Sequence, residues 1–400
     1  MKNVRQSVPS IGLMIVLVGF PQISESIFTP VLPQLRRAFA VSASQAQLTM
    51  STYFVAFAVG VLLWGQLADK WGRRPAMLVG IAVYLLGNIG LYFTTHFAAL
   101  LGWRLVQALG ASAGSVVTQT MMRESFTGVT GAKVFAKVSA AMALAPALGP
   151  LIGGVMQTYF GYRSVFATLV TMAVVIGLAA LSRLPETQQV AEHPQQIRQG
   201  RVVRRLLTDP VVWGYGWLIG GINGILFSYY AEAPFIFITH FGYSAVQYGW
   251  LGMVLAAASL LGALLVNRLL NVWSPEQVAL GGLVFGTLAG GGLLIAAYWQ
   301  QATLMVIGIF LTFLGLNITL PNALNRALVG YEAVMGSASG WFSLGYYLIV
   351  SGLTFGMSLL HNSAIQTLPW YMLALSAGML LVFVSLIRRR SRSLAVEEDA

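Results

Sequence analysis

Cysteine is absent from the 400 residues. No disulfide framework, thiolate nucleophile or cysteine metal site can therefore be built from this chain. Charge is also scarce: Asp, Glu, Lys and Arg make up only 9% of the sequence, against roughly 25% in an average soluble domain. So few charges cannot cover a water-facing surface, and the 57% of hydrophobic residues must face lipid instead. A soluble enzyme, a disordered protein and a disulfide-stapled scaffold are excluded. The 4 histidines are scattered and show no metal-ligand spacing. The glycines form neither common nucleotide-binding loop. No metal, cofactor or ATP site is expected, so active transport would draw on an ion gradient.

Acids are the scarcer sign. There are 12 Asp and Glu against 23 Lys and Arg, a formal net charge of +11. In a soluble protein that balance would point to nucleic acid. Here the basic residues flank apolar runs, so membrane topology accounts for them and nucleic acid is not an expected partner.

A helix needs about 20 residues to cross the hydrocarbon core. Twelve stretches qualify: 10–33, 47–67, 76–94, 98–121, 137–158, 164–183, 210–231, 246–267, 277–298, 302–325, 336–359 and 368–387. The run 11–20 follows Lys2 and Arg5 as in a secretory signal. Glu25, Pro30 and Pro33 then follow without a small-residue cleavage pattern, so a retained first span is expected. With the N-terminus inside, nineteen of the 23 Lys and Arg fall in inner segments and three in outer ones. That asymmetry predicts an even number of spans with both termini in the cytoplasm. The longest polar stretch, 185–209, follows the sixth span. The chain thus divides into a six-helix bundle over 1–184, a cytoplasmic linker over 185–209, a second bundle over 210–388 and a tail over 389–400. A linker at the midpoint suggests two similar halves, as in transporters built from repeats.

Three segments carry chemistry. Between the second and third spans lie Gly65, Asp69, Lys70, Gly72, Arg73, Arg74 and Pro75. A tight inner loop needs glycine for its backbone angles, and its single carboxylate suits a cation or a helix N-terminus. In the fourth span, Arg104 precedes Gln107, Gly110 and Ser112. In the fifth, Ala141, Ala145, Gly149 and Gly153 recur every four residues as a smooth ridge that lets another helix approach. Pro146 and Pro150 remove backbone donors and should bend that helix.

Together these segments resemble motifs A, B and C of the major facilitator superfamily, the last including Gly154. The stretches 122–126 and 233–237 are similar to the Bcr/CflA drug-resistance family. The resemblance spans most of the chain and is strongest in its first half. It implies an all-α membrane protein of 12 transmembrane helices in two six-helix bundles. It further implies a proton-coupled antiporter of the bacterial inner membrane, a monomer that exports drugs such as bicyclomycin or chloramphenicol by alternating access. Motif C marks the antiporter branch. Alternatives are export of a natural metabolite such as a siderophore or peptide, a nutrient importer, and a receptor without flux.

The candidate site residues follow. Arg104 lies about 9 Å into its span, where a cation is costly and functional by default; its stripe through Gln107, Ala111, Ser115 and Thr118 should face the interior. Snorkelling to the outer interface is the competing reading. The resemblance gives the matching arginine a part in proton coupling. Glu25 is the one acid inside the first six spans. A carboxylate there is costly to leave charged and suits proton exchange or capture of a cationic substrate. Many Bcr/CflA members carry Asp where this chain has Ser26, an offset of about 100° on an ideal helix. Tyr53 and Phe57 are further candidates for substrate contact. Glu232 stands beside Tyr229 and Tyr230, either as a cation site with stacking rings or in an interfacial aromatic belt. Arg123 is expected to pair with Asp69 and close the cytoplasmic side. The expected partners are a small-molecule substrate, protons and membrane lipid.

Overall fold

The computed structural model describes residues 8–126, 128–188, 199–331 and 335–398. Among them all regular secondary structure is helical. The helices are α1 (Ile11–Ser26), α2 (Leu32–Ala38), α3 (Ala43–Trp71), α4 (Arg73–Phe93), α5 (Phe97–Ser125), α6 (Gly128–Met142), α7 (Ala145–Phe160) and α8 (Tyr162–Arg183). They continue with α9 (Gln199–Thr208), α10 (Pro210–Pro234), α11 (Ala245–Leu269), α12 (Pro275–Tyr298), α13 (Ala302–Arg326), α14 (Met335–Leu360) and α15 (Thr367–Glu398). A 3₁₀ turn, Thr29–Val31, joins α1 to α2, and a π-helical turn, Phe235–His240, continues α10.

Local chemistry sets many of the boundaries. Ser42 and Gln45 cap α3 reciprocally, as Ser274 and Gln277 cap α12; each box satisfies amides that the first turn leaves open. Asp209 accepts from Val211 and Val212 and is followed by Pro210, which suits a first helical position because its missing N–H has no partner to lose. Gly72, at φ +99°, ends α3 and starts α4 without a turn between them.

Eleven helical stretches among the described residues are long and apolar enough to cross a bilayer. The predicted span over 98–121 is α5. Its 29 residues suffice in length, at about 43 Å. Its apolarity is diluted by Arg104, Gln107, Ser112 and Thr118, all of them buried. The first span continues through the 3₁₀ turn to Ala38, beyond the predicted end at 33. The fifth is broken rather than bent. It stops at Met142, turns at 143–144 and resumes at Ala145, so Pro146 falls in the first turn of a helix, where its missing N–H has no intrahelical partner to lose. Val175, Leu178, Leu264, Leu288 and Leu381 are more than half exposed. Apolar side chains on the outside of such helices match a lipid surround rather than water.

The chain forms two compact units. The first comprises Met1–Gln196 with Tyr243–Met253, and the second comprises Ile197–Gly242 with Val254–Ala400. In the first, α4 packs on α5 and α8, α3 on α5, and α1 on α5 and α7. In the second, α12 packs on α13 and α15, and α10 on α14 and α15. Part of the predicted linker, 189–198, lies outside the described residues, as do the side chains of the tail beyond 387. The linker's last part is helical: in α9, Arg205 donates to the Gly330 carbonyl at 3.1 Å and lies 4.4 Å over the Tyr331 ring.

Candidate functional site

Arg104 enters from the eighth position of α5 and is fully buried. It does not snorkel. Its Nη1 donates to Gln107 Oε1 at 2.5 Å and its Nε to the Thr49 carbonyl at 3.3 Å. Gln107 donates in turn to Asn88 Oδ1 at 2.5 Å, and Asn88 to the Tyr84 carbonyl at 2.9 Å. The guanidinium lies 4.6 Å from the centre of the Phe28 ring and 4.5 Å from that of Tyr53. Two π-faces and two oxygen acceptors thus hold the cation in place of water. Of the predicted stripe, Gln107, Ala111 and Thr118 are buried, and Ser115 is half-buried.

Glu25, on α1, is only 6% exposed. Its charge interacts with Arg104 and with Tyr53, yet no hydrogen bond or ion pair ties its carboxylate to any described residue. The one-residue offset now has a structural meaning. Ser26 lies against Gly149 of α7, where a Cβ on that glycine would strike its hydroxyl. An acid at position 26 would face the broken helix, whereas Glu25 faces the arginine. Tyr53 stacks on Phe57 at 5.9 Å, and both are buried. The structure therefore gathers Glu25, Arg104, Tyr53 and Phe57 in one unit.

The glycine ridge of α7 serves close packing on two sides. Gly149 lies against Ser26 and Gly153 against the Ile27 carbonyl. Gly154 meets the Ala245 carbonyl, and Gly249 and Gly252 of the segment Tyr243–Met253 meet the carbonyls of Pro150 and Pro146. A side chain at any of these positions would push the backbones apart.

At the α3–α4 connection the expected pair is corrected. Asp69 pairs with Arg73 at 2.5 Å, one helical turn away, and Arg73 also binds Glu124 at 2.7 Å. Arg73 is buried, while Arg123 is exposed at the last turn of α5. Among the described residues no ion pair joins Asp69 to Arg123. Residue 124, not 123, faces α4, because neighbours on a helix point about 100° apart. Gly65 sits two turns before Gly72 on α3, near Val116 of α5.

In the second unit, Glu232 is 2% exposed and holds His361 Nδ1 at 2.9 Å from both carboxylate oxygens. The His361 ring lies 5.3 Å from that of Phe235. Tyr229 and Tyr230 are buried as well, with Tyr229 edge-on to Phe313. These tyrosines are bundle interior rather than an interfacial belt. Three asparagines of this half bond locally: Asn223, Asn317 and Asn322 each donate to the carbonyl four residues earlier.

The sequence reading missed the pairing of His361, in the loop after α14, with Glu232, and Glu186, which binds the start of α4. It also missed the ion pair of Glu276, in the first turn of α12, with Arg326, in the last turn of α13. Charge spacing could have found that last pair. Arg73 and Glu124 hold the corresponding positions on α4 and α5, with the signs exchanged.

Membrane-length helices, with polar residues turned inward and apolar ones outward, define a multi-pass membrane protein. The chain belongs to the Major Facilitator Superfamily, whose family model matches residues 14–354. It is similar to an uncharacterized transporter of Rickettsia bellii, with 31% identity over 377 residues, 92% of this chain and 93% of the relative. It is also similar to a chloramphenicol resistance protein of Pseudomonas aeruginosa, with 30% identity over 361 residues, 88% and 85% of the two chains. Identity to the multidrug resistance protein MdtL of Salmonella paratyphi A is 22% over 382 residues, 95% and 92% of the two chains. Among solved structures, the xylose transporter XylE from E. coli superposes with a TM-score of 0.76 at 12% identity, covering 95% of this chain and 97% of that one. A bacterial homologue of the human lysosomal transporter Spinster gives 0.72 at 13% identity, covering 96% of each. The fold is that of the superfamily.

Proposed function

We propose that this transporter is a proton-coupled antiporter of the bacterial inner membrane that exports small amphipathic compounds by alternating access. The observation that carries the reading is Glu25. It is buried, has no bonded partner among the described residues, and lies within the field of a fixed Arg104. A proton on Glu25 leaves Arg104 as an uncompensated buried cation. Loss of that proton leaves a carboxylate that the same cation attracts. Either state is biased by what else enters, which is the requirement for exchanging a proton against a substrate.

Glu232 is the weaker carrier, because it is already bonded to His361. We assign it, with Tyr229 and Tyr230, to the walls of the second half. The ion-pair cluster around Arg73 serves as a cytoplasmic gate, and the broken α7 with its glycine ridge as the surface that shifts. Both termini lie in the cytoplasm, the halves are 1–184 and 210–388, and the monomer suffices. The Bcr/CflA resemblance and the chloramphenicol resistance relative support drug-like substrates selected by size and apolar area more than by exact hydrogen bonding.

The test uses inverted membrane vesicles energised inside-acid, with a fluorescent dye reporting internal pH. A panel of candidate compounds is added to wild type and to Glu25→Gln. Substrate-driven alkalinisation in wild type, lost in the variant, is the expected result. Alkalinisation of equal size in Glu25→Gln would remove Glu25 from the cycle. Ligand binding without flux in wild type would replace the exporter with a receptor.

A further inference from the structure

Glu186 follows α8, where sequence alone reads a polar, solvated turn. Its Oε1 accepts from the backbone N–H of Arg73 at 2.9 Å, and its Oε2 from that of Arg74 at 3.0 Å. These are the first two residues of α4, whose amides have no partner within their own helix. The positive end of the helix dipole favours an anion at the same place. The carboxylate also accepts from the N–H groups of Thr187 and Gln188, at 3.0 and 2.9 Å. The next two side chains then reach the ion-pair cluster itself. Thr187 Oγ1 donates to Glu124 at 2.9 Å, and Gln188 Nε2 to the Asp69 carbonyl at 2.6 Å. From the other direction, Arg74 donates to the Leu181 carbonyl at 2.8 Å. Gly72 makes room for this arrangement, since a Cβ there would sit 2.6 Å from Glu186 Oε2.

We propose that Glu186 is a positioning residue for the Asp69–Arg73–Glu124 cluster, with residues 184–188 forming a strap that fixes the start of α4. Arg73 must reach one carboxylate on α3 and another on α5 at once. Its backbone is the first residue of its helix, and helix ends fray. Without an acceptor for the Arg73 and Arg74 amides, the first turn of α4 loosens and Arg73 loses one of its two partners. The strap thereby ties the end of the sixth span to the connection between the second and third. The effect on transport rests on the exporter reading above, which makes the cluster a gate. The effect on geometry does not.

The experiment has two parts, both on the full chain in lipid nanodiscs or vesicles. Hydrogen–deuterium exchange is followed in peptides covering 70–78 and 120–126, for wild type, Glu186→Ala, Glu186→Gln and Glu186→Asp. Exchange at 70–78 should quicken by about tenfold in Glu186→Ala, the scale of losing a charged acceptor. Glu186→Asp should recover part of the protection, Glu186→Gln less, and the remaining spans should be unchanged. Should the alanine variant fail to reach the membrane, the ranking of the Gln and Asp variants at 70–78 carries the same test. Substrate-driven proton flux is then compared for Glu186→Ala, Glu124→Gln and the double variant. Each single variant should lower flux, and the double should be no worse than Glu124→Gln alone, because both act through Arg73. Unchanged exchange at 70–78, or fully additive losses in the double variant, overturns the proposal. If wild type moves no compound yet the exchange pattern is as expected, the positioning stands and the exporter reading is what fails.

Discussion

Replacing Arg104 by lysine keeps the charge and removes the geometry that holds it. The guanidinium reaches two acceptors at once, Gln107 Oε1 and the Thr49 carbonyl, while lying over two rings at 4.6 and 4.5 Å. A lysine ammonium is a compact point charge on a flexible stem and cannot reproduce the planar fork. The variant should forfeit one charge-assisted hydrogen bond, about 1.5–3 kcal/mol, and part of two cation–π contacts, about 0.5–1 kcal/mol each. The expected loss is about 2–4 kcal/mol, and lysine still requires a charge to be kept out of water. Arg104→Leu differs in kind. It strands the Gln107 Oε1 without a donor, about 1–3 kcal/mol when buried, whereas the Thr49 carbonyl keeps its helical N–H within α3, and it abolishes the cost of desolvating a cation. The leucine variant should therefore melt at or above the lysine variant while losing substrate-driven proton flux completely. Thermal unfolding in detergent, followed by fluorescence of the purified proteins, gives the order; the lysine variant should fall by roughly 2–5 °C. A lysine variant melting within about 1 °C of wild type would refute the claim that this network fixes the cation.

Three further outcomes follow from other contacts. Gly72→Ala forces an L-residue to φ +99° and ψ 160°, an essentially glycine-only conformation, and drives its Cβ towards Glu186, costing about 1–3 kcal/mol from the backbone alone; faster exchange at 70–78 should report it, with the distant spans unaffected. Gly249→Val would press on the Pro150 carbonyl, 2.7 Å from an ideal Cβ, and should cost about 1–3 kcal/mol as overpacking, read as a lower melting temperature than that of Gly291→Val, where nothing lies within 4 Å. Partial burial works to raise the Glu186 carboxyl, but its bonds from the Gln188, Arg73, Arg74 and Thr187 amides outweigh that and hold it below the usual carboxylate range. A depressed value means that the stabilisation is complete above the unfolded value, near 4.3, and is lost as pH falls through the folded one. Protection at 70–78, after correction for intrinsic exchange, should hold from pH 7 to pH 5 and drop only below about 4.

The spans were legible because lipid imposes one strong demand on sequence, an apolar run of sufficient length. Arg104 was legible for the same reason, since an ion in such a run stands out. Its companions were not. Asn88, Thr49 and Phe28 look like ordinary residues, and only the packing of α3, α4 and the segment that ends α1 against α5 sets them around the guanidinium. Glu186 lies 113 residues from Arg73, and His361 lies 129 from Glu232. Periodicity reports which face of a helix turns inward, and carries no information about which distant residue meets it. The partner of Asp69 is a different case: Arg73 lies only four residues on, a spacing that helix geometry makes legible, while on α5 it is Glu124 and not Arg123 that turns to Arg73.

The two halves handle buried charge differently, and under the antiporter reading proposed above this bears on which of them would exchange a proton. At the helix ends they are alike: Arg73 with Glu124 and Glu276 with Arg326 join corresponding helices, with the signs reversed. Deep inside they diverge. The second half pairs Glu232 with His361 directly, so removing either partner leaves a buried charge or a buried acceptor exposed to its full desolvation cost. The first half sets Glu25 in the field of Arg104 without bonding the two, and gives the arginine to Gln107, Thr49 and two rings. A carboxylate held by its own bundle must break a bond to change state, whereas one left within reach of a fixed cation need only gain or lose a proton. Under the antiporter reading proposed above, that difference assigns the cycling proton to the unbonded acid of α1 and leaves the bonded second-half acid a structural part.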